Sequence, residues 1–319
     1  MQYLDKDQIA KTFTMAEAIE ACKEALKLYS AGRADIPLRK NIDVPEHNGQ
    51  ALFMPGYVNG ETSALGIKIV SVFPDNVKKN LPSVPATMLT LDAETGVVNA
   101  VLDGTFLTQL RTGAVQGAAT DLLARQDAKV GLLIGTGGQA MQQLRAMLTV
   151  RDFEKIYVFD LSLDHAKAFA ESARKLAEAD KVELIPVEDV NSVVSECDVI
   201  TTVTTSKVPT FDGSLVKEGC HINGVGAYTL EMHELPESAI VKADRIFTDT
   251  DDGVLAEAGD IVGAIENQII SKADITGELG QLVADQSLGR NDDEQITVFK
   301  TVGTSALDVV VADQIVRKK

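Results

Sequence analysis

Three basic side chains occur in this sequence at positions where they could bind an acid. Arg39 follows a proline turn, Lys68 lies inside the apolar run 65–70, and Arg111 begins a segment rich in alanine and glycine. Arginine binds carboxylates through pairs of N–H groups, and the ammonium group of lysine supplies a compact positive charge. If the three side chains converge, they form a receptor for a substrate carboxylate.

The residues around Lys68 predict the direction of its side chain. Alternate residues of a β-strand share a face, so Ile67 and Ile69 point to one side while Lys68 points to the other with Gly66 and Val70. If a second domain covers that side, the ammonium group requires an anion, because burying an unpaired charge is costly. A lysine in solvent is the alternative, and the sequence leaves both open.

Residues 130–149 have the pattern of a strand, a phosphate-binding turn and a helix. The apolar run ends at Gly135, which can adopt turn dihedrals that a Cβ would forbid, and Gly137 lets a bound group approach the backbone. The free amides at the start of the following helix suit a pyrophosphate. An ordinary strand-to-helix turn is the alternative. The predicted cofactor contacts in this turn are Gly135, Thr136, Gly137, Gly138, Gln139 and Ala140.

A carboxylate at the end of the next predicted strand supports a dinucleotide. Asp160 follows Ala140 by about 20 residues, the spacing at which dinucleotide-binding folds place their ribose-binding acid. An aspartate accepts from the ribose 2′-OH and repels a 2′-phosphate, and no Arg or Lys follows before Lys167, so NAD(H) is predicted in preference to NADP(H). Capping the next helix is the alternative role of Asp160, although Ser162 could serve there. Further predicted cofactor contacts, near the ends of later strands, are Thr204, Val225 and Gly303.

Composition and charge exclude several classes of protein. The 319 residues are 45% apolar, which allows a large core, and their number suggests two domains. A net charge of −17 argues against nucleic-acid and anionic-membrane partners, which require a surplus of lysine and arginine. With no membrane-spanning apolar run and no signal-peptide pattern at the first residues, a cytoplasmic protein is expected. The scattered cysteines and histidines predict neither a disulfide framework nor a metal site.

Secondary-structure patterns predict two kinds of architecture. After residue 127, strands and helices alternate, which predicts an α/β domain of the Rossmann type with a doubly wound parallel sheet. Residues 36–103 show strand-like runs between turns, including a hairpin that turns at Gly96, and predict a mostly antiparallel sheet. The predicted helices are 14–30, 105–125, 164–179, 189–195, 274–288 and a last, buried one at 305–316.

A series of motifs, in order along the chain, resembles the ornithine cyclodeaminase and mu-crystallin family. The motifs are Gly-Ile-Lys-Ile-Val at 66–70, Phe-Pro-Asp-Asn at 73–76, Leu-Pro-Ser-Val-Pro-Ala-Thr-Met at 81–88, Leu-Asp-Gly-Thr-Phe-Leu-Thr-Gln-Leu-Arg-Thr-Gly-Ala at 102–114, Gly-Thr-Gly-Gly-Gln-Ala at 135–140, His-Ile-Asn-Gly-Val-Gly-Ala at 221–227 and Glu-Ala-Gly-Asp at 257–260. The likeness extends from about residue 1 to residue 317.

The resemblance implies a fold, a cofactor and a set of substrate contacts. Members of this family bind NAD(H) or NADP(H) and move a hydride at the carbon next to an amino or imino nitrogen. The family's ligands for the substrate carboxylate match Arg39, Lys68 and Arg111, and a neighbouring contact matches Thr87. The implied assembly is a homodimer. Each chain is expected to have a discontinuous α+β domain for substrate binding and dimerisation (1–126 and 301–319) and a Rossmann domain (127–300).

One departure from the family's pattern bears on the reaction. Where cyclodeaminases and related alanine dehydrogenases have an aspartate after Val-Gly-Ala, this chain has Tyr228. Tyrosine, with a pKa near 10, is a poor general base at neutral pH. Glu231 is the other candidate for that role, with a surface position as its alternative. The predicted catalytic residues are Lys68, Arg111 and Tyr228.

The tyrosine-type segment resembles the family's ketimine reductases, which act on five- and six-membered cyclic imino acids. We therefore predict an enzyme that reduces Δ1-pyrroline-2-carboxylate or Δ1-piperideine-2-carboxylate to proline or pipecolate. A preformed imine demands less of the protein, because its carbon is already electrophilic and the main task is to hold the carboxylate and place the nicotinamide. The alternatives are an ornithine cyclodeaminase, an alanine-type amino acid dehydrogenase, and a non-catalytic binding protein of the crystallin type.

Overall fold

The chain forms two units, and the first is completed by the end of the chain. The computed structural model describes residues 1–79 and 81–319. Met1–Arg111 and Thr304–Lys319 together make the first unit, and Thr112–Gly303 makes the second. The first unit is therefore discontinuous in sequence.

The division between the units lies inside a helix, whereas the sequence places it between residues 126 and 127. The helix spans Gly104–Leu123, and from Thr112 onward it belongs to the second unit. A Cβ on Gly113 would overlap the backbone of Gln142, and the Thr120 hydroxyl accepts a hydrogen bond from Asn223. These close contacts make the later part of the helix integral to the second unit.

Strands and helices follow one another along the whole chain. The strands are β1 (Gln2–Leu4), β2 (Ala34–Asp35), β3 (Lys40–Val44), β4 (Gly49–Asn59), β5 (Ser63–Val72), β6 (Ala86–Leu91), β7 (Val98–Asp103), β8 (Val130–Ile134), β9 (Lys155–Phe159), β10 (Glu183–Val187), β11 (Val199–Thr202), β12 (His221–Gly224), β13 (Arg245–Thr248), β14 (Gly277–Glu278) and β15 (Thr297–Lys300). The α-helices are α1 (Lys6–Thr12), α2 (Met15–Ser30), α3 (Gly104–Leu123), α4 (Ala140–Val150), α5 (Leu163–Ala173), α6 (Glu237–Lys242), α7 (Asp251–Glu257), α8 (Gly259–Glu266), α9 (Leu279–Ala284) and α10 (Ser305–Lys318).

A mostly antiparallel sheet forms the first unit, as the sequence predicts. Its strand order is β1-β7-β6-β5-β4-β2, with β3 also paired to β4, and only β1 and β7 are parallel among the described pairs. The hairpin between β6 and β7 turns at Gly96, whose φ of 72° lies in the left-handed region that glycine adopts without strain. Before the sheet, α2 begins with a capping box between Thr14 and Glu17, which satisfies free amides of its first turn.

The inner face of this sheet is covered by helices of the same unit. Ala64, Gly66, Lys68 and Val70 alternate along β5 and are buried. Helix α10 packs on β4, β5 and α2, and a Cβ on Gly66 would lie 3.4 Å from Val309 of that helix. The predicted direction of Lys68 is therefore right, and its cover is the C-terminal helix rather than a second domain.

The outer face of the same sheet carries apolar side chains that are only partly buried. Pro55 on β4 pairs with Ile67 on β5, Ile67 with Leu89 on β6, and Leu89 with Val101 on β7. Paired residues of an antiparallel sheet lie on one face, so these four form a row across the unit. Each of them keeps part of its surface exposed.

A fully parallel sheet forms the second unit and confirms the predicted Rossmann-type architecture. Its order is β10-β9-β8-β11-β12-β15-β13-β14, and all pairs among the described strands are parallel. From β8 the chain moves outward to β9 and β10 and then returns to β11 on the other side of β8. In such sheets, ligands bind outside the carboxyl ends of the strands where the order reverses. That point lies between β8 and β11.

Two of the predicted helices are wrong. Residues 189–195 form two single 3-10 turns, Val190–Ser192 and Val194–Glu196, and within 274–288 the α-helix is only α9. Asp189 accepts a hydrogen bond from the amide two residues later, and Asp285 does the same after α9. Such local bonds compete with the helix and favour tight turns.

Three structural observations concern membrane-spanning helices, cysteines and metal-binding side chains. Among residues 1–79 and 81–319, no helix is long and apolar enough to cross a membrane. The three cysteines, Cys22, Cys197 and Cys220, are buried free thiols. In the same described residues, His, Cys, Asp and Glu side chains form no group of three that could hold a metal ion.

Candidate functional site

Two of the three predicted cations meet a carboxylate in the first unit. Lys68 Nζ lies 2.6 Å from Asp308 Oδ2, and Arg111 Nε lies 2.9 Å from Asp308 Oδ1. All three side chains are buried, with Lys68 only 1% and Asp308 0% exposed. Strand β5, helix α3 and helix α10 each supply one member, so the cluster forms only when the two ends of the unit come together.

The cluster carries a net positive charge. Lys68 and Arg111 bring two charges and Asp308 neutralises one, which leaves one positive charge in a buried site. Burial, together with the charges of Arg111 and Arg39, lowers the pKa of Lys68 to about 8, against the opposing effect of Asp308. The place of Arg39 among the substrate ligands stays a prediction. An additional anion is therefore favoured here, because it would compensate the remaining charge.

Arg111 retains donors for such an anion. Asp308 takes its Nε, and the terminal Nη atoms make no hydrogen bond to any described residue. Thr87, by contrast, does not join the cluster. It is exposed and pairs with Ile69, on the face of the sheet opposite to Lys68. Its role in substrate binding stays a prediction.

The glycine turn of the second unit has the geometry of a dinucleotide cradle. Gly135 has a φ of 101°, and a Cβ there would lie 2.8 Å from the Val203 carbonyl oxygen, so only glycine fits. A Cβ on Gly137 would meet open space, which leaves room for a group beside the backbone. Helix α4 then begins at Ala140, and its N-cap, Gln139, makes no capping hydrogen bond with its side chain. The Ala140 amide donates to the Gly137 carbonyl oxygen at 3.0 Å, and the other amides of the first turn are suited to an anion such as a pyrophosphate.

Asp160 is held beside this turn as a carboxylate. Its Oδ2 accepts from the Thr136 hydroxyl at 2.6 Å and from the Thr136 amide at 3.2 Å, and its Oδ1 accepts from the Ser162 amide. Burial opposes its charge, but these hydrogen bonds outweigh burial and lower the pKa of Asp160. The N-cap of α5 is Ser162, so helix capping is not the role of Asp160. An ionised acid here fits a ribose with free hydroxyls.

The other predicted cofactor residues lie at the carboxyl ends of strands, where their amides bind groups of the protein. The Thr204 amide donates to Glu234 Oε1, the Gly303 amide to Asp249 Oδ2, and the Val225 amide to a strand carbonyl. Gly303 has a φ of 81°. These contacts fix the loops that follow β11, β12 and β15.

Tyr228 and Glu231 differ sharply in environment. Tyr228 is partly buried and packs against the hydrophobic core of the second unit. Glu231 is 76% exposed along its side chain and pairs with Lys207, Nζ to Oε2 2.7 Å, which lowers its pKa. Glu231 therefore lies at the surface, which was the alternative to a catalytic role.

Sequence reasoning missed the acids that organise both regions. Asp308 lies in a helix that the sequence predicts to be buried. A buried carboxylate requires a partner, so its position in that helix could have indicated a cation beside it. Glu234 and Asp249 gave no such signal, since they lie in loop and turn segments that look solvated. Their hydrogen bonds to backbone amides depend on tertiary structure alone.

The strand order, the glycine turn and the acid at the end of β9 together define a dinucleotide-binding protein of the Rossmann type. The chain belongs to the ornithine cyclodeaminase/mu-crystallin family, whose sequence model it matches over residues 2–319.

Relatives with known activities cover nearly the whole chain. A Δ1-pyrroline-2-carboxylate reductase of Bacillus cereus is 37% identical over 298 residues, 93% of this chain and 90% of that protein. The Thermococcus litoralis Δ1-pyrroline-2-carboxylate reductase, solved in complex with NADH and L-proline, has 38% identity and a TM-score of 0.93, covering 100% of this chain and 97% of that one. An archaeal alanine dehydrogenase, solved as a dimer with bound NAD, has 32% identity and a TM-score of 0.87 over 100% and 95%.

Removing the carboxylate between the two cations should destabilise the protein. Asp308→Asn leaves Lys68 and Arg111 buried without a counter-charge, and we expect the free energy of unfolding to fall by about 3–5 kcal/mol. Glu231→Gln is the matched control, because Glu231 pairs with Lys207, both side chains are exposed (76% and 68%), and such a pair contributes about 0–1 kcal/mol. Denaturant unfolding measures both variants. Equal losses of unfolding free energy would show that the buried cluster stabilises the protein no more than a surface ion pair does.

Proposed function

We propose that this protein reduces a small cyclic imino acid, Δ1-pyrroline-2-carboxylate or its six-membered homologue, to the corresponding amino acid with NADH. The observation that carries the proposal is the buried cluster of Lys68, Arg111 and Asp308, which retains one positive charge and unused arginine donors. Such a site suits the carboxylate of a compact substrate. The two relatives that are Δ1-pyrroline-2-carboxylate reductases support the same substrate class.

Each cation has a separate task in this reaction. Arg111 binds the substrate carboxylate through its terminal nitrogens, in the paired geometry that guanidinium groups favour. Bound NADH supplies the hydride that reduces the imine carbon. Lys68, whose pKa is lowered to about 8, donates the proton that the ring nitrogen requires as the C=N bond becomes a C–N bond, and then regains a proton from solvent.

The environment of Tyr228 supports imine reduction over deamination of ornithine. Deamination requires a general base for the substrate amine, and a carboxylate has a suitable pKa. At the family's position for that carboxylate stands Tyr228, and the nearby Glu231 is exposed and paired with Lys207. A preformed imine requires no such base.

The turnover of cyclic imines tests this assignment. With NADH, the wild type should reduce Δ1-pyrroline-2-carboxylate, and Arg111→Ala or Lys68→Ala should lower kcat/KM by about a hundredfold or more, because a buried charge partner of the substrate is lost. Lys78→Ala is the matched control, since Lys78 is an exposed lysine paired with Asp75.

The same assay includes the rival substrates. Ornithine with NAD and pyruvate with ammonia and NADH should give little turnover beside the cyclic imines. Ammonia release from ornithine faster than imine reduction, or intact imine turnover in both alanine variants, would contradict the assignment.

The preference for NADH over NADPH is a further part of the proposal and rests on Asp160. Its ionised carboxylate, held by Thr136 and Ser162, repels a 2′-phosphate. Leu161, the next residue, is 99% exposed, so an arginine can replace it without loss of packing.

A double variant should shift this preference. Asp160→Ala with Leu161→Arg replaces a repelling acid with a phosphate-binding base, and the ratio of kcat/KM for NADPH to that for NADH should rise by about tenfold or more. Leu161→Arg alone is the control, because the Asp160 charge is retained and should limit the shift. A wild type that already favours NADPH would refute the role given to Asp160.

We also propose that the outer face of the first unit's sheet pairs with a second copy of the chain. The row of Pro55, Ile67, Leu89 and Val101 is apolar and partly exposed, and an apolar patch of this kind marks an interaction surface. Ile67→Glu places a charge in the centre of this row and should convert a dimer of the 34.1 kDa chain to a monomer in light scattering. Val97→Glu, at a 63% exposed position in a turn, should leave the dimer intact. A monomeric wild type would contradict the proposal.

A further inference from the structure

Glu234 is a fully buried carboxylate that joins two loops of the second unit. Its Oε1 accepts from the Thr204 amide at 2.5 Å, and its Oε2 accepts from the Gly226 amide at 2.6 Å and the Ala227 amide at 2.7 Å. Thr204 follows β11, whereas Gly226 and Ala227 follow β12. One side chain therefore fixes the backbone at the carboxyl ends of two adjacent parallel strands.

Glu234 is itself held firmly from the other side. Its own amide donates to Asp260 Oδ1 at 2.6 Å, and its carbonyl oxygen accepts from the Thr210 amide and hydroxyl. Asp260 Oδ2 in turn lies 2.7 Å from Lys300 Nζ, and both of these side chains are 0% exposed. This arrangement leaves Glu234 little freedom to change its position.

The three amide donors favour a side chain with two acceptor oxygens at this position. Burial raises the pKa of Glu234, and the nearby Lys300 charge and the amide hydrogen bonds offset that rise only in part. A glutamine has the same shape, but its NH2 group would face an amide N–H on one of the two sides. The hydrogen bonds to one of the loops would then be lost.

The loops that Glu234 holds adjoin the glycine turn. A Cβ on Gly135 would lie 2.9 Å from Thr204 Cγ2, so the loop after β11 packs directly on that turn. The turn has its own anchor, because the Gly135 amide donates to the Phe159 carbonyl oxygen at 2.8 Å. The adenosine half of a dinucleotide belongs to β8, β9 and β10, where Asp160 lies, and the nicotinamide half belongs to β11 and the strands beyond it.

We propose that Glu234 is a positioning residue that holds the loops after β11 and β12 in the conformation that binds the nicotinamide half of NAD(H). This inference rests on the NAD(H) binding of the proposed function. Glu234 itself does not touch the reacting atoms. It acts through the backbone of Thr204, Gly226 and Ala227.

Paired ligands test this role in the full-length chain. Calorimetry gives the Kd of NADH and of ADP-ribose, which lacks the nicotinamide. For Glu234→Gln, the Kd of NADH should rise about tenfold or more, because displaced loops misplace the nicotinamide pocket, while ADP-ribose keeps its wild-type affinity. The rise in Tm caused by NADH should shrink to that caused by ADP-ribose. Glu231→Gln, an exposed acid three residues away, is the matched control and should behave as wild type.

A second variant keeps the test valid if Glu234→Gln does not fold. Glu234→Asp keeps the charge but is one methylene shorter, so it should hold one loop and give a Kd for NADH between those of wild type and Glu234→Gln, again with ADP-ribose unchanged. An unchanged Kd for NADH in whichever variant folds, or an equal loss for both ligands, would overturn the inference.

The test separates this inference from the proposed function. A wild type that binds NADH but reduces no cyclic imine refutes the substrate alone, and the Glu234 comparison proceeds unchanged. A wild type that does not bind NADH refutes the two together.

Discussion

A single buried carboxylate, that of Asp308, makes the ionic contact with both Lys68 and Arg111 that links the distant parts of the first unit. Burying three charged side chains is costly, and the cost is offset only when the geometry is close and hydrogen bonded. The distances of 2.6 and 2.9 Å meet that condition. The contact joins β5, α3 and α10, so it forms only when all three elements are in place. It also places a net positive charge inside a chain whose net charge is −17.

The sequence predicts features that depend on neighbouring residues. The alternation of side chains along a strand gave the direction of Lys68, and the glycine turn with Asp160 could be recognised because its parts lie within one strand-turn-helix-strand segment. Asp308 could not be paired with Lys68, because 240 residues separate them and many acids could have served. The helices predicted at 189–195 and 274–288 failed for a different reason. Short apolar runs fit several structures, and aspartate side chains there bind nearby amides and favour tight turns.

Buried acids have two different uses in this protein. Asp308 compensates cations, whereas Glu234 accepts hydrogen bonds from backbone amides, and Asp260 combines the two by binding Lys300 and the amides of Glu234 and Leu235. The first use suits a site that must attract an anion, because its charge balance can be left incomplete. The second suits loops at the ends of parallel strands, because such loops have free amides that no neighbouring strand can satisfy.

The return of α10 to the first unit has a consequence for biosynthesis. A chain is made from its N-terminus, and its domains fold as units while synthesis continues. The second unit, Thr112–Gly303, is complete before α10 has been made, so it can fold first. Until then β5 lacks the helix that covers it, and Lys68 and Arg111 lack Asp308. The first unit therefore reaches its final form only after α10 has been made, and a chain that lacked α10 would expose both an apolar sheet face and two uncompensated cations to the chaperones that bind unfinished proteins.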